Sequence, residues 1–412
     1  MENIYISNLK IDHVRHLNNI TIPLSREKIK HLIFTGKNGS GKTSVLEAMS
    51  DYLNDLITPD DQKDSQSLKE MVWELLENKE KEGEFLVAEK NTGYHTDEIK
   101  HIKKGVSLEF NQPSDVLKYY FEKGELILAY YKADRIFKAD VPQHVEKVEL
   151  KDNYTLSETP REVFAKYLLD LKVTEALARN NGKVEKANEI KAWFDKFQDL
   201  LRKIFNDPSL KLVFEEDTFS FYIQEKDKEP FGFNTLSSGF AAVLDIVLDI
   251  IVRMEKKTKR TFNFTIPGIV LVDEIETHLH LELQKNVLGL LTTIFPNIQF
   301  IMSTHSPFIL NSIENAVIYD LEKKILVEDG LSDVPYGGIV EGYFNASELS
   351  ATLEKKFERY KELIKKKDLT DDDFEEITGL EMFLDEIPDY LALNLTTEYQ
   401  RLKMEFENRE DI

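Results

Sequence analysis

Gly36-Lys37-Asn38-Gly39-Ser40-Gly41-Lys42-Thr43 decides the reading of this 412-residue chain. It sits between an apolar strand candidate, His31-Leu32-Ile33-Phe34-Thr35, and an apolar-striped helix running from Lys42 to about Leu53. Strand, glycine-rich turn and helix in that order satisfy the pattern G-x-x-x-x-G-K-[ST] in the setting it requires. The glycines let successive N–H groups turn inward around phosphate oxygens, and the helix that follows directs its positive end at them. Gly36, Asn38, Gly39, Ser40, Gly41, Lys42, Thr43 and Ser44 are the expected phosphate-binding residues. Lys42 reaches the β- and γ-phosphates as a point charge, and the Thr43 hydroxyl suits Mg²⁺.

Further along, Ile269-Val270-Leu271-Val272-Asp273-Glu274 is an apolar strand ending in two carboxylates. A strand buried on both faces delivers its last residue to the carboxyl edge of the sheet, where the phosphate loop also opens. Asp273 supplies oxygen to Mg²⁺, and Glu274 is placed to polarise or orient a water as general base. Alone, Asp-Glu after a strand also signals a helix start; the phosphate loop favours the chemical reading. Asn234-Thr235-Leu236-Ser237-Ser238-Gly239-Phe240 opens a long helix, and Ser237, Ser238 and Gly239 form a second anion-binding device there. One triphosphate needs one cradle, so the second is understandable if it closes over a partner's γ-phosphate; the alternative is a simple capped helix. His305, in Ser303-Thr304-His305-Ser306-Pro307, follows the strand candidate Ile298–Ser303 and can sense a γ-phosphate as a neutral imidazole. His278 and His280 suit a turn or a dimer contact better than a metal site.

Outward from these motifs, Ile4-Tyr5-Ile6 and Ile20–Leu24 are apolar bursts, with a polar turn expected at Asn18-Asn19. The stretch from Thr58 to Leu117 breaks the rhythm and reads as an insertion. It has a polar linker at Asp60–Ser67, a helix candidate at Leu68–Lys81, and strand candidates near Phe85–Val87 and Val106–Phe110. Glu125–Tyr131 resumes the core, Thr159–Phe205 is helical, and Leu210–Phe214 pairs with Phe219–Gln224. From Leu236 helices and strands alternate again. The fold class is α/β: a P-loop head of two lobes with a helical region, an insertion and a helical C-terminal tail. The divisions are 1–57 and 119–158 for the first lobe, 58–118 for the insertion, 159–206 for the helical region, 207–330 for the second lobe and 331–412 for the tail.

The formal charge is −22, from 75 acidic and 53 basic residues, which disfavours a broad nucleic-acid surface and leaves room only for a local basic patch. The absence of cysteine excludes disulfides and fits a reducing cytoplasm. No apolar run reaches the ~20 residues of a membrane span, and the N-terminus starts with strand-like alternation rather than a signal peptide. Asp371-Asp372-Asp373 with Glu375-Glu376 reads as solvated surface ahead of a helix.

Taken together, these motifs resemble those of the non-transporter ABC ATPases, the group that includes SMC, double-strand-break-repair, RecF and OLD proteins. Gly36–Thr43 is similar to Walker A, and Leu236–Phe240 to the ABC signature, with Phe240 where many members have Gln or Glu. Ile269–Glu274 is similar to Walker B plus the catalytic glutamate, and His305 to the switch histidine. Asp273–His280 and Ser303–Leu310 look most like the OLD-type branch. That branch supplies ATPases of anti-phage systems such as Septu, PARIS, Gabija and the retrons. Ile275 and Leu281 replace prolines usual in that branch, and no glutamine stands in Ala129–Arg135. Arg135 resembles an arginine of the branch, which implies a place near the nucleotide or the dimer contact. The resemblance implies ATP and Mg²⁺ as cofactors and a homodimer or higher oligomer whose heads sandwich ATP, with Ser238 and Gly239 serving the partner's nucleotide. It further implies ATP hydrolysis through Glu274 and His305, and control of a separate nuclease or toxin effector, because no nuclease domain follows the motifs. A RecF-like repair ATPase and a non-hydrolysing, nucleotide-dependent scaffold are the rival readings.

Overall fold

The computed structural model describes residues 3–58, 105–135, 137–140, 142–344, 350–387 and 393–409. The linker at Asp60–Ser67, the helix at Leu68–Lys81 and the strand near Phe85–Val87 lie outside the described residues. The chain divides into two units, Met1–Asp333 and Val334–Ile412.

In the first unit, β1 (Ile6–Val14) and β2 (Leu17–Pro23) form a hairpin, and β4 (Val106–Phe110) pairs with the other side of β1. Val106 and Leu108 are buried in the same apolar cluster as Ile6, Leu9 and Ile11, so the strand assigned to the insertion is part of this sheet. The turn expected at Asn18-Asn19 is displaced. Val14 pairs with Leu17, the turn falls at Arg15-His16, and both asparagines are strand residues. Leu17, Ile20 and Ile22 are buried while Asn18 and Asn19 are both exposed, and the left-handed Asn19 (φ +52°) breaks the alternation, so two adjacent polar residues fit within the strand instead of forming its turn.

The central sheet has six strands, in the order β12 (Ile325–Val327), β11 (Ala316–Asp320), β3 (His31–Thr35), β10 (Ile298–Ser303), β9 (Gly268–Val272), β5 (Ile127–Tyr131). All neighbours are parallel except β11 and β12. Every residue of β3, β9, β10 and β11 is buried, as continuous Val/Ile/Leu-rich runs covered on both faces require. Helix α1 (Lys42–Ile57) packs Val45, Leu46, Met49, Leu53 and Ile57 into the core at helical spacing. It ends at Thr58, whose hydroxyl donates to the Asn54 carbonyl at 2.7 Å and which precedes Pro59 in the sequence.

Helix α2 (Ser114–Glu122) follows β4. The helical stretch is two helices, α3 (Phe164–Asn180) and α4 (Val184–Phe205), broken at Gly182 with φ +72°. A small antiparallel sheet of β6 (Lys211–Glu215), β7 (Ser220–Gln224) and β8 (Phe231–Gly232) leads to α5 (Ser238–Thr258). Helix α5 is buried on nearly all sides and carries Asp245, Asp249 and Arg253 at four-residue spacing. Arg253 and Tyr131 both donate to Asp249, while Asp245 has only its ion pair with Arg161, and burial raises the Asp245 pKa to about 6. Helices α6 (Leu281–Ile294) and α7 (Pro307–Leu310) follow β9 and β10.

His31 opens β3, and its Nδ1 accepts the Phe300 N–H of β10 at 3.1 Å. Burial lowers its pKa to about 4 from 6.5. Between those values the unfolded chain binds a proton that the folded chain refuses, so stability falls as pH drops through 6.5 toward 4. Asn at this position cannot titrate. The stability advantage of wild type over His31→Asn, from urea unfolding, is therefore expected to shrink by about 2 kcal/mol between pH 7.5 and 5. A pH-independent difference would contradict the neutral, accepting imidazole.

In the second unit, α8 (Ala351–Ile364), α9 (Asp371–Asp385) and α10 (Leu393–Glu407) enclose a core of Phe357, Tyr360, Leu363, Ile377, Leu384 and Tyr399. The acidic run is the first turn of α9 rather than a turn ahead of it. Thr370 caps that helix, its hydroxyl accepting the Asp373 N–H, and Asp373 in turn takes the Thr370 N–H and pairs with Lys366.

Candidate nucleotide site

Because β10 lies between β3 and β9, the loops leaving these three strands are neighbours at one sheet edge, about 5 Å apart from strand to strand. Backbone bonds carry the ladder past the strand ends. Thr304 N–H donates to the Phe34 carbonyl, Asp273 N–H to Tyr131, and Ile275 N–H to Ser303.

After β3, the loop turns on Gly36, Gly39 and Gly41, all at positive φ. At Gly36 (φ +125°) a Cβ would stand 3.0 Å from Ser40 Oγ and 3.3 Å from Asp320 Oδ1. At Gly41 (φ +99°) it would stand 2.9 Å from Leu17 Cδ1 of the first hairpin. Both positions demand glycine, for conformation and for space. Lys42 is buried, and its Nζ donates to the Gly36 carbonyl at 2.9 Å and to Lys37 at 3.2 Å. Burial lowers its pKa, and Glu274, Asp273, Glu276 and Asp320 oppose that shift. One ammonium thus faces four carboxylates. Asn38, Gly39 and Thr43 are exposed, Ser44 is half-buried, and the buried Ser40 Oγ has no partner among the described residues.

After β9, Asp273 Oδ1 accepts from Ser303 Oγ at 2.5 Å, and the same hydroxyl accepts the Glu274 N–H at 2.8 Å. Glu274 has φ +45°, a left-handed backbone that costs a non-glycine residue about 1–3 kcal/mol. Its carboxylate accepts from the Thr277 hydroxyl at 3.3 Å. Arg135 lies beneath, donating to the carbonyls of Asp273, Glu274 and Ile275 at 2.9–3.2 Å and to Lys132 at 3.1 Å. After β10, the His305 N–H donates to Glu276 Oε1, and the loop is tied again by Ser306 Oγ donating to Gln284. Burial, and then the Lys42 charge, lower the His305 pKa, so its ring is neutral near pH 7. Its buried Nε2 has no partner among the described residues.

The structure therefore brings together the loop Gly36–Lys42, Asp273, Glu274 and His305. Ser237 and Ser238 stand exposed at the start of α5, and Gly239 packs under the next loop, where its Cβ would lie 3.1 Å from the His278 carbonyl. His278 and His280 are exposed turn residues, and among the described residues no group of three or more His, Asp or Glu could hold a metal. Ser303, Glu276, Gln284 and Asp320 were not singled out by sequence reasoning. Ser303, as the last residue of a buried strand, carried the one usable signal.

A phosphate-bound Mg²⁺ fits this set. The positive-φ glycines, with Ser40 Oγ and His305 Nε2 lacking partners among the described residues, suit phosphate oxygens, and Thr43 and Asp273 offer hard oxygens beside the carboxylates of Glu274, Glu276 and Asp320. Mg²⁺ is ordinarily held by one or two carboxylates with phosphate oxygens and water completing the shell. An open cavity of about 880 Å³, lined by Tyr5, Lys28, Lys30, Asn111, Glu314 and Asp329 among others, lies at the opposite edge of the sheet and contains none of these groups.

The order of loops at this edge decides the class. The fold is that of an ABC-like P-loop head. Residues 134–311 match the family described as "AAA domain, putative AbiEii toxin, Type IV TA system", a span that holds Ser238, Asp273, Glu274 and His305. The head is similar to the Septu protein PtuA of Bacillus mycoides (strain KBAB4), 23% identical over 96% of this chain and 52% of the relative. It is also similar to the Retron Ec83 probable ATPase of Escherichia coli, 30% identical over 34% of this chain and 27% of the relative. The chain thus spans about half the length of the first relative and less of the second. A crystal structure of the Smc head bound to the C-winged helix domain of ScpA superposes with TM-score 0.40 at 14% identity, over 80% of this chain and all of that one.

Proposed function

We propose that this head binds Mg²⁺–ATP, hydrolyses it between two copies of the chain, and uses that cycle in anti-phage defence to control a separate effector. The observation that carries the reading is the single sheet edge at which Lys42, Asp273, Glu274 and His305 meet. The relatives named for the Septu and retron systems support the defence setting, and a chain without cysteine suits the cytoplasm. Among the described residues no helix is long and apolar enough to cross a membrane.

Bound ATP supplies the transferable γ-phosphoryl group, and Mg²⁺ neutralises charge on its oxygens. Lys42 would leave its own loop carbonyls for phosphate oxygens, the loop amides would complete the cradle, and Thr43 with Asp273 would hold the metal. Ser303 keeps the Asp273 carboxylate oriented. Glu274 takes a proton from water, and Thr277 fixes the angle of its carboxylate. Neutral His305 offers Nε2 toward the same region. Ser237 and Ser238, exposed at the α5 start, with the buried Gly239 behind them, close the second copy's site.

A shared site can be tested by mixing. Lys42→Ala spoils the loop of its own chain, and Ser238→Arg spoils the site of the opposite chain. Each variant alone is expected to be inactive, whereas an equal mixture contains pairs with one intact site and recovers about a quarter of wild-type turnover. A mixture as dead as its components would refute the two-chain site.

A further inference from the structure

We infer that Arg135 is a positioning residue for hydrolysis, its guanidinium clasping the carbonyls of the turn that holds Glu274. The inference rests on the hydrolytic reading above and adds a residue to it. Arg135 is buried at the C-terminal side of β5, and its two terminal nitrogens serve four carbonyls. NH1 donates to Lys132 and Asp273, and NH2 donates to Glu274 and Ile275. Three consecutive carbonyls pointing at one cation is an unusual demand on a backbone. It is met here because Glu274 adopts φ +45°, which turns the chain so that its oxygens converge. The forked, planar guanidinium can serve this set, whereas an ammonium on a single atom cannot span it.

No atom of Arg135 is required to touch nucleotide. Its effect is to hold the Glu274 backbone in its strained form, so that the carboxylate points at the site without a further ordering step.

Two measurements on the full chain test this, using Arg135→Lys and, because one variant can fail to fold, Arg135→Met. Steady-state ATPase assays should show kcat falling by about 100-fold, the cost of a displaced catalytic group, with KM for ATP within about threefold of wild type. Amide hydrogen exchange on the nucleotide-free protein should rise by about tenfold at residues 274–277 and stay unchanged in α1 and β10. Wild-type kcat together with unchanged exchange would overturn the inference. So would an equal loss of affinity and turnover, which marks direct nucleotide contact, or exchange rising equally across α1 and β10, which marks general support of the fold. Should wild type itself show no turnover, the hydrolytic reading alone fails, and the exchange at 274–277 still decides whether Arg135 holds the turn.

Discussion

Lys42→Ala is expected to weaken Mg²⁺–ATP binding by at least about 100-fold while leaving the fold standing. Among the described residues the ammonium donates to the carbonyls of its own loop, at Gly36 and Lys37, and it is buried among Asp273, Glu274, Glu276 and Asp320. Two charge-assisted hydrogen bonds to phosphate, at about 1.5 kcal/mol or more each, account for that factor. Alanine leaves the loop carbonyls without this donor, but it also removes a buried charge, so the thermal midpoint should move little. Titration calorimetry with ATP, run beside a melting curve, separates the two effects. Equal affinity in variant and wild type would remove the phosphate loop from the account.

The second large effect is expected at Glu274. Glutamine has the same shape, can keep the Thr277 contact, and accepts the same backbone, yet it cannot take a proton from water. Single-turnover hydrolysis should therefore slow by about 100- to 1,000-fold, the usual contribution of a general base, with ATP affinity preserved or raised. Turnover within a few-fold of wild type would show that the carboxylate is not the base, and would return attention to Glu276, whose Oε1 holds the His305 amide and whose Oε2 has no partner among the described residues.

The two predictions differ in how far the residues reveal themselves. Gly36–Thr43 was legible because glycine spacing, lysine and threonine each answer a separate physical need. The structure adds which glycines carry positive φ and which neighbours leave no room for a Cβ. Asp273 and His305 were legible because each follows an apolar run that can only be a buried strand. Ser303, Glu276 and Gln284 were not, since they act by holding other groups in place, and that depends on β9, β10 and α6 becoming neighbours. The Arg135 clasp was hidden for the same reason: its acceptors lie about 140 residues downstream and are main-chain carbonyls, which no side-chain pattern discloses. Polarity alone misplaces the turn at Asn18-Asn19, because the left-handed Asn19 lets two adjacent polar residues stand exposed within β2.

Whether two copies share the nucleotide is read most directly from the mass of Glu274→Gln in solution, by analytical ultracentrifugation with and without Mg²⁺–ATP. If the loops of one chain and Ser238 of another enclose the same triphosphate, ATP should convert the protein to a species twice the starting mass, or tighten an existing pair, with one nucleotide retained per chain. Introducing Ser238→Arg into the same protein should abolish that shift. A mass and a dissociation constant between chains that ignore ATP would contradict the account.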